Sequence, residues 1–270
     1  MSGEIDKSPL GILAGEGELP IQLTQYCIDN NIPVFVVQFD RCMYNEFPNV
    51  KTLKTRIERV GSIFKFLYQN KVKNVVMIGN LNRPQMASLR PDMKGLKTLG
   101  KIAGAFLKGD DNLLRALRTE IEIEGFNVKG INHYLTNLTA NTGLLTQNRC
   151  TRPVNDAISE ALRYGADDKG QSILLHTDDT YSYETRNGTT ALIANKGKKG
   201  SILIKMVKPQ QDLDLDRPTV GLNTLKALHD RGCQGMILQA NGVLLVNKHD
   251  MVEFANNHGL FIEAVNVNDT

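Results

Sequence analysis

Two glycines, Gly15 and Gly17, follow the apolar run Ile12-Leu13-Ala14 in GILAGEGELP. Glycines at a strand end let successive backbone N–H groups turn toward an anion, and a helix that follows adds its N-terminal dipole. The dinucleotide fingerprint G-x-G-x-x-G asks for a third glycine, which lets the helix pack closely on the strand. Pro20 stands at that place. This counts against an NAD site, although Asp40 sits about where a ribose-binding acid belongs. The loop reads as a cradle for another kind of phosphate, with a tight turn that binds nothing as the plainer account.

Three more stretches carry groups of the same chemistry. GNLNRPQMASLRPDMKGLKTL, residues 79–99, puts Gly79, Asn80 and Arg83 at the end of an apolar run. Amides can read a base or ribose, and the planar guanidinium suits phosphate. Pro84 and Pro91 are expected to break any helix here, leaving an ordered loop. KGDDNLLR places Asp110 and Asp111 at the start of a helix. Helix capping explains them most simply, and a hard cation shared with substrate phosphates is the functional alternative. IKMVKPQQDLDLDRPTVG gathers Lys205, Lys208, Gln211, Asp212, Asp216 and Thr219 after a strand. Such a loop suits a phosphate and a metal, or is simply a solvated surface. Histidines 133, 176, 229, 249 and 258 show no metal-ligand spacing, and no G-x-S-x-G motif is present.

The elements that must hold these groups alternate between strand and helix. In the first half strands are expected at 10–14, 33–39 and 75–78, and helices at 20–30, around 60–67 and around 113–121. That is the pattern of a doubly wound α/β sheet, with ligands at the carboxyl ends of its strands. The pattern lapses in NHYLTNLTANTGLLTQNRCTRP, then resumes. The expected organisation is a Rossmann-like α/β domain over 1–132, a linker over 133–153 and a second α/β domain over 154–270. A cleft between the two lobes is the usual place for a ligand.

Composition limits the partners. The chain has 270 residues, 41% of them hydrophobic and 23% charged, with a net charge of +3. That is ordinary for a soluble globular protein and too weakly basic for a nucleic-acid footprint. No apolar run approaches the roughly 20 residues of a membrane-spanning helix. The polar start MSGEIDKSPL does not read as a secretory signal, so a cytosolic protein is expected. Cysteines 27, 42, 150 and 233 lack a C-x-x-C pair and are expected to be reduced thiols.

Taken in order, GILAGEGELP, GNLNRPQMASLRPDMKGLKTL, LKGDDNLLRALRTEIEIEGF, KPQQDLDLDRPTVG and NGVLLV…GLFIEAV resemble the UDP-2,3-diacylglucosamine pyrophosphatases of the LpxI type. Each segment is weak alone, and all of them at matching spacing are highly specific. The resemblance covers nearly the whole chain and implies two α/β lobes binding a lipid nucleotide. It implies a hydrolase of lipid A biosynthesis in a Gram-negative bacterium. The reaction would be metal-assisted cleavage, with Mg²⁺ or Mn²⁺, to UMP and 2,3-diacylglucosamine 1-phosphate (lipid X). It also implies nucleotide or phosphate contacts at Gly15, Gly17, Gly79, Asn80, Arg83, Lys208, Gln211 and Thr219. Metal contacts would fall to Asp110, Asp111 and Asp216. The lipid substrate implies peripheral contact with the cytosolic face of the inner membrane.

One departure stands out. Where that family typically reads E-G-T-D-A, with the aspartate regarded as catalytic, this chain reads NGTTA. Asn187 replaces the glutamate, Thr190 the aspartate, and Gln239 another usual glutamate. A hydroxyl or an amide cannot serve as an anionic metal ligand or general base. Asp178, Asp179 and Glu184 are the nearby carboxylates that could substitute, and a homologue that binds the lipid nucleotide without efficient turnover is the alternative reading.

Overall fold

The structure is a computed structural model that describes residues 6–40, 46–47, 49–81, 89–108 and 110–267; the side chains of 106–108, 110 and 111 lie outside that description. The chain forms two compact units, residues 1–136 with Asp214–Asp216, and residues 137–213 with 217–270.

In the first unit five parallel strands, β1 (Leu10–Ala14), β2 (Val34–Phe39), β3 (Lys51–Thr55), β4 (Asn74–Ile78) and β5 (Asn127–Val128), lie in the order β3-β2-β1-β4-β5. The central strands are continuous apolar runs because both faces are covered. Leu10, Ile12 and Ala14 of β1 are fully buried. The edge strand β3 reads KTLKT and exposes Lys51 and Lys54, the charged guard an edge needs against further pairing.

The helices α1 (Leu19–Asp29), α2 (Val60–Gln69), α3 (Met93–Lys108) and α4 (Asp110–Ile123) flank this sheet. Phe64 of α2 stacks on Phe126 with ring centroids 5.9 Å apart, inside a cluster with Val37, Ile63, Leu67, Val75 and Ile121. Leu215 joins that cluster, which explains why Asp214–Asp216 belong to this unit. The loop expected up to residue 99 is instead helical from Met93. Pro91 precedes the first turn, where a missing N–H costs nothing, and the Asp92 carboxylate accepts the Gly95 amide at 2.7 Å.

The second unit holds a six-stranded sheet in the order β6-β13-β11-β9-β7-β8. Its strands are β6 (Gly143–Leu144), β7 (Ser172–Leu175), β8 (Tyr181–Tyr183), β9 (Ile202–Lys205), β11 (Gly235–Gln239) and β13 (Phe261–Val265). Strands β9, β11 and β13 are parallel, while β6, β7 and β8 each run antiparallel to a neighbour. A separate parallel pair joins β10 (Thr219–Val220) to β12 (Leu244–Leu245). Four helices complete the unit: α5 (Asn155–Ala166), α6 (Gly188–Lys196), α7 (Leu222–Asp230) and α8 (Lys248–Asn257). One core cluster packs α6, α7 and α8 around Leu203, Met236, Leu238 and Ile262; another packs α5 around Ile173, Ile202, Ile204 and Ile237.

Cys27, Cys150 and Cys233 carry free thiols. Burial pushes Cys27 up to about 12 and Cys233 to about 11, so neither is a thiolate near neutrality.

Candidate active site

In the first unit the strand order reverses between β1 and β4, which is where doubly wound sheets bind ligands. The loops leaving these two strands touch through their backbones. Glu16 N–H donates to the Asn80 carbonyl at 2.8 Å, Asn80 N–H donates to the Glu16 carbonyl at 2.9 Å, and Gly15 N–H reaches the Ile78 carbonyl at 2.8 Å. A Cβ on Gly15 would stand 2.6 Å from the Asn80 oxygen. Gly79 has φ +99, and a Cβ there would stand 2.7 Å from the Gly15 carbonyl carbon. Only glycine allows both the approach and that φ.

Gly15, Gly17, Gly79 and Asn80 are therefore brought together at the carboxyl edge. Helix α1 opens immediately beyond them, with Pro20 in its first turn and no side chain capping it. Asp40 ends β2 on the same edge, its amide bonded to the Thr55 carbonyl at 2.9 Å. Arg83 lies outside the described residues. Asp110 and Asp111 do open helix α4, but their carboxylates are not described.

In the second unit the carboxyl ends of β9 and β11 form the corresponding edge. Since β7 is antiparallel to β9, with Ser172 opposite Lys205, the start of β7 and the start of α6 arrive there too. Four polar side chains interlock below α6. Lys205 Nζ donates to Thr189 Oγ1 at 2.7 Å and to Ser172 Oγ at 3.2 Å. Thr189 Oγ1 donates onward to Glu184 Oε1 at 2.6 Å, and the Gln171 amide donates to Glu184 Oε2 at 2.8 Å. Lys205, Glu184 and Ser172 are buried at 3%, 6% and 0% exposure. A buried ammonium and a buried carboxylate thus share one hydroxyl, which locks the first turn of α6. Thr190 is the next residue, exposed on that turn.

The loop after β9 is tied down beside it. Gln239 Oε1 accepts the Val207 amide at 2.9 Å, and Lys208 Nζ lies 2.7 Å from Asp168 Oδ1. Gln211 Oε1 accepts the Lys208 amide at 3.3 Å, and Gln210 Nε2 donates to the Gly165 carbonyl at 3.1 Å. Thr190, Lys208, Gln211 and Gln239 therefore share one edge. Thr219 sits apart on β10 with its hydroxyl on the Arg217 carbonyl at 3.1 Å, and Asp216 belongs to the first unit. The motif that supplies them is divided because Leu215 is anchored in the other core.

Among the described residues, the carboxylates close in sequence to Thr190 are engaged elsewhere. Both Glu184 oxygens are engaged inward. Asp178 and Asp179 occupy the turn at the far end of the β7–β8 hairpin, about 10 Å of strand away. There Asp178 accepts the Thr180 hydroxyl at 2.7 Å, and Asp179 accepts from Arg152 at 2.6 Å.

His176 begins that turn as a structural residue. Its ring nitrogens lie 2.8 Å from Ser201 Oγ and 2.8 Å from Ser182 Oγ. Burial, with Lys198 nearby, holds its pKa below the usual value.

Among the described residues no three His, Cys, Asp or Glu side chains converge as a metal site. Among them, too, no helix is long and apolar enough to cross a membrane.

Comparison with known proteins agrees with the division into two units. Residues 9–138 match the family described as the LpxI N-terminal domain, and residues 141–263 match the LpxI C-terminal domain. The chain is also 28% identical to the UDP-2,3-diacylglucosamine pyrophosphatase LpxI of Caulobacter vibrioides, over 95% of this chain and 97% of that protein. Matched in both halves and in the family's own order, the chain belongs to the LpxI family.

Proposed function

We propose that the chain hydrolyses the pyrophosphate of UDP-2,3-diacylglucosamine to UMP and lipid X, a step of lipid A synthesis on the cytosolic side of the membrane. The observation that carries this reading is the backbone contact of the Gly15–Gly17 and Gly79–Asn80 loops at the sheet's switch point. Those loops pair their own amides with each other and so fix the start of α1, whose first N–H groups and positive dipole, with the Arg83 guanidinium, would meet a phosphate-bearing nucleotide. A divalent ion, Mg²⁺ or Mn²⁺, would offset the diphosphate charge. In this proposal it is shared between substrate phosphates and one or two of Asp110, Asp111 and Asp216.

Within the second unit this reading assigns phosphate contacts to Lys208 and Gln211, on the same edge as the turn at Thr190. The Thr190 hydroxyl can orient a water by hydrogen bonding but does not take its proton near neutral pH. Lys205, Thr189 and Glu184 fix where that hydroxyl sits. A second reading, tight binding with slow turnover, is favoured by the engagement of both Glu184 oxygens with Thr189 and the Gln171 amide.

The test follows UMP release from UDP-2,3-diacylglucosamine with Mg²⁺ or Mn²⁺, for the natural chain and Thr190→Asp. Release by the natural chain supports the hydrolase, and the variant is expected to raise kcat about a hundredfold, the low end of what a positioned acid–base group supplies. Release by the variant alone selects the binding protein. Neither binding nor release from either chain overturns both readings.

A further inference from the structure

Helix α3 presents an apolar face that nothing covers among the described residues of its own unit. Met93 and Leu96 are 76% and 60% exposed, and Lys97, Gly100, Ala103 and Gly104 are exposed with them. At 100° per residue these six positions span about a third of the helix circumference. The face is open space, since a Cβ placed on Gly100 or Gly104 would meet nothing within 4 Å. The opposite side is the core-facing one, through Gly95, Thr98 and Ile102.

Charge decides what suits this face. Neither α3 (MKGLKTLGKIAGAFLK) nor α2 (VGSIFKFLYQ), one of the two helices packed against it, contains an acid, while α3 carries four lysines and α2 one; the other, α4 (DDNLLRALRTEIEI), does contain acids. Acids adjoining α3 are already engaged. Glu124 and Glu120 of the α4 side pair with Lys94 and Lys101, and Asp92 accepts backbone amides at the start of the helix. An apolar stripe bearing Lys97, on a helix whose own charges are all lysines, complements a surface with apolar depth and anionic headgroups.

We propose that the outer face of α3, centred on Met93, Leu96 and Lys97, docks the protein on an anionic lipid bilayer. The inference deepens the reading of a diacyl substrate and rests on it. Such a molecule resides in a membrane, and the enzyme must meet it there. Met93 and Leu96 would enter the acyl boundary while Lys97 extends its ammonium back to the headgroups.

Flotation of the full chain with phosphatidylcholine vesicles, with and without phosphatidylglycerol, tests this. The natural chain is expected to float with the anionic vesicles, and high salt should weaken that binding. Met93→Ser with Leu96→Ser should lower the partition at least tenfold, and Lys97→Glu several-fold. Ile123→Ser, which alters the 64% exposed apolar residue at the end of α4, should stay within twofold. All four proteins should unfold at the same denaturant midpoint, since these side chains are exposed.

The docking surface is overturned if the natural chain does not float, or if the α3 variants float as well as it does. It is also overturned if the face mediates a dimer that Met93→Ser with Leu96→Ser dissolves. Hydrolysis of a water-soluble analogue with truncated acyl groups separates the two ideas. Turnover without vesicle binding removes the docking face alone, and vesicle binding without turnover removes the hydrolase alone.

Discussion

Thr189→Val tests the hydroxyl shared by the buried Lys205 and Glu184. Valine keeps the shape and removes only the group that accepts from Lys205 at 2.7 Å and donates to Glu184 at 2.6 Å. A hydrogen bond to a charged group contributes about 1.5–3 kcal/mol, so two lost together could cost about 3–6 kcal/mol. Ser172 Oγ still accepts from Lys205 at 3.2 Å, and the Gln171 amide still serves Glu184. Those survivors bring the expected loss to about 3 kcal/mol. Thr189→Ser keeps the hydroxyl and removes one half-buried methyl, costing at most about 0.8 kcal/mol. Apolar burial alone predicts the reverse order, because valine is the more hydrophobic replacement. Guanidinium unfolding followed by far-UV circular dichroism measures the difference, and hydrogen exchange on β7 and β9 assigns it to the second unit. The assignment is needed because two units need not unfold together. If valine costs no more than serine, the hydroxyl does not join the two charges and the reasoning fails.

Two further outcomes follow from the geometry. Gly15→Ala places a Cβ 2.6 Å from backbone atoms, so it should shift the β4 loop and lower stability by about 2 kcal/mol or more, as overpacking does. Gly17→Ala has open space at φ +109 and should cost only about 1 kcal/mol of backbone strain; denaturant midpoints of the two variants decide. His176 has its folded pKa below the ordinary 6.5 because burial disfavours the charged ring. Below pH 6.5 the unfolded chain then binds more protons, so this contribution is complete above pH 6.5 and is lost as pH falls beneath it. Unfolding midpoints between pH 7.5 and 5 should decline less steeply in His176→Asn than in the natural chain, and equal slopes would count against a depressed pKa.

Apolar pattern made much of the frame legible. The run at 10–14 is β1 and the run at 235–239 is β11, both buried by neighbours on each side. Strand β3 escaped because KTLKT holds a single apolar residue and its exposed lysines, three apart, break any period-two alternation. Helix α3 escaped because proline was weighed as a breaker, though Pro91 sits one residue ahead of the Asp92 cap. The glycine loops were readable as a phosphate cradle, but their mutual contact required β1 and β4 to be neighbours. Lys205 is a lone charge closing the apolar strand ILIK, a visible oddity. Its partners at 172, 184 and 189 follow no sequence spacing, because only the antiparallel register of β7 on β9 brings them within reach. That same register removes Glu184 from the list of replacement carboxylates, a point that sequence proximity to Thr190 obscured.

The anchoring of Leu215 has a consequence for how this gene can be divided. The polypeptide leaves the first unit at residue 136, returns for three residues and leaves again, so neither unit is a single uninterrupted stretch. A fragment ending at residue 136 would fold around a vacancy where Leu215 packs. The complementary fragment would carry a leucine evolved for another core. Swapping halves between relatives at a single junction therefore exchanges one side of that contact without the other. A chimaera that respects the fold needs three crossover points, with residues 214–216 inherited from the parent of the N-terminal part.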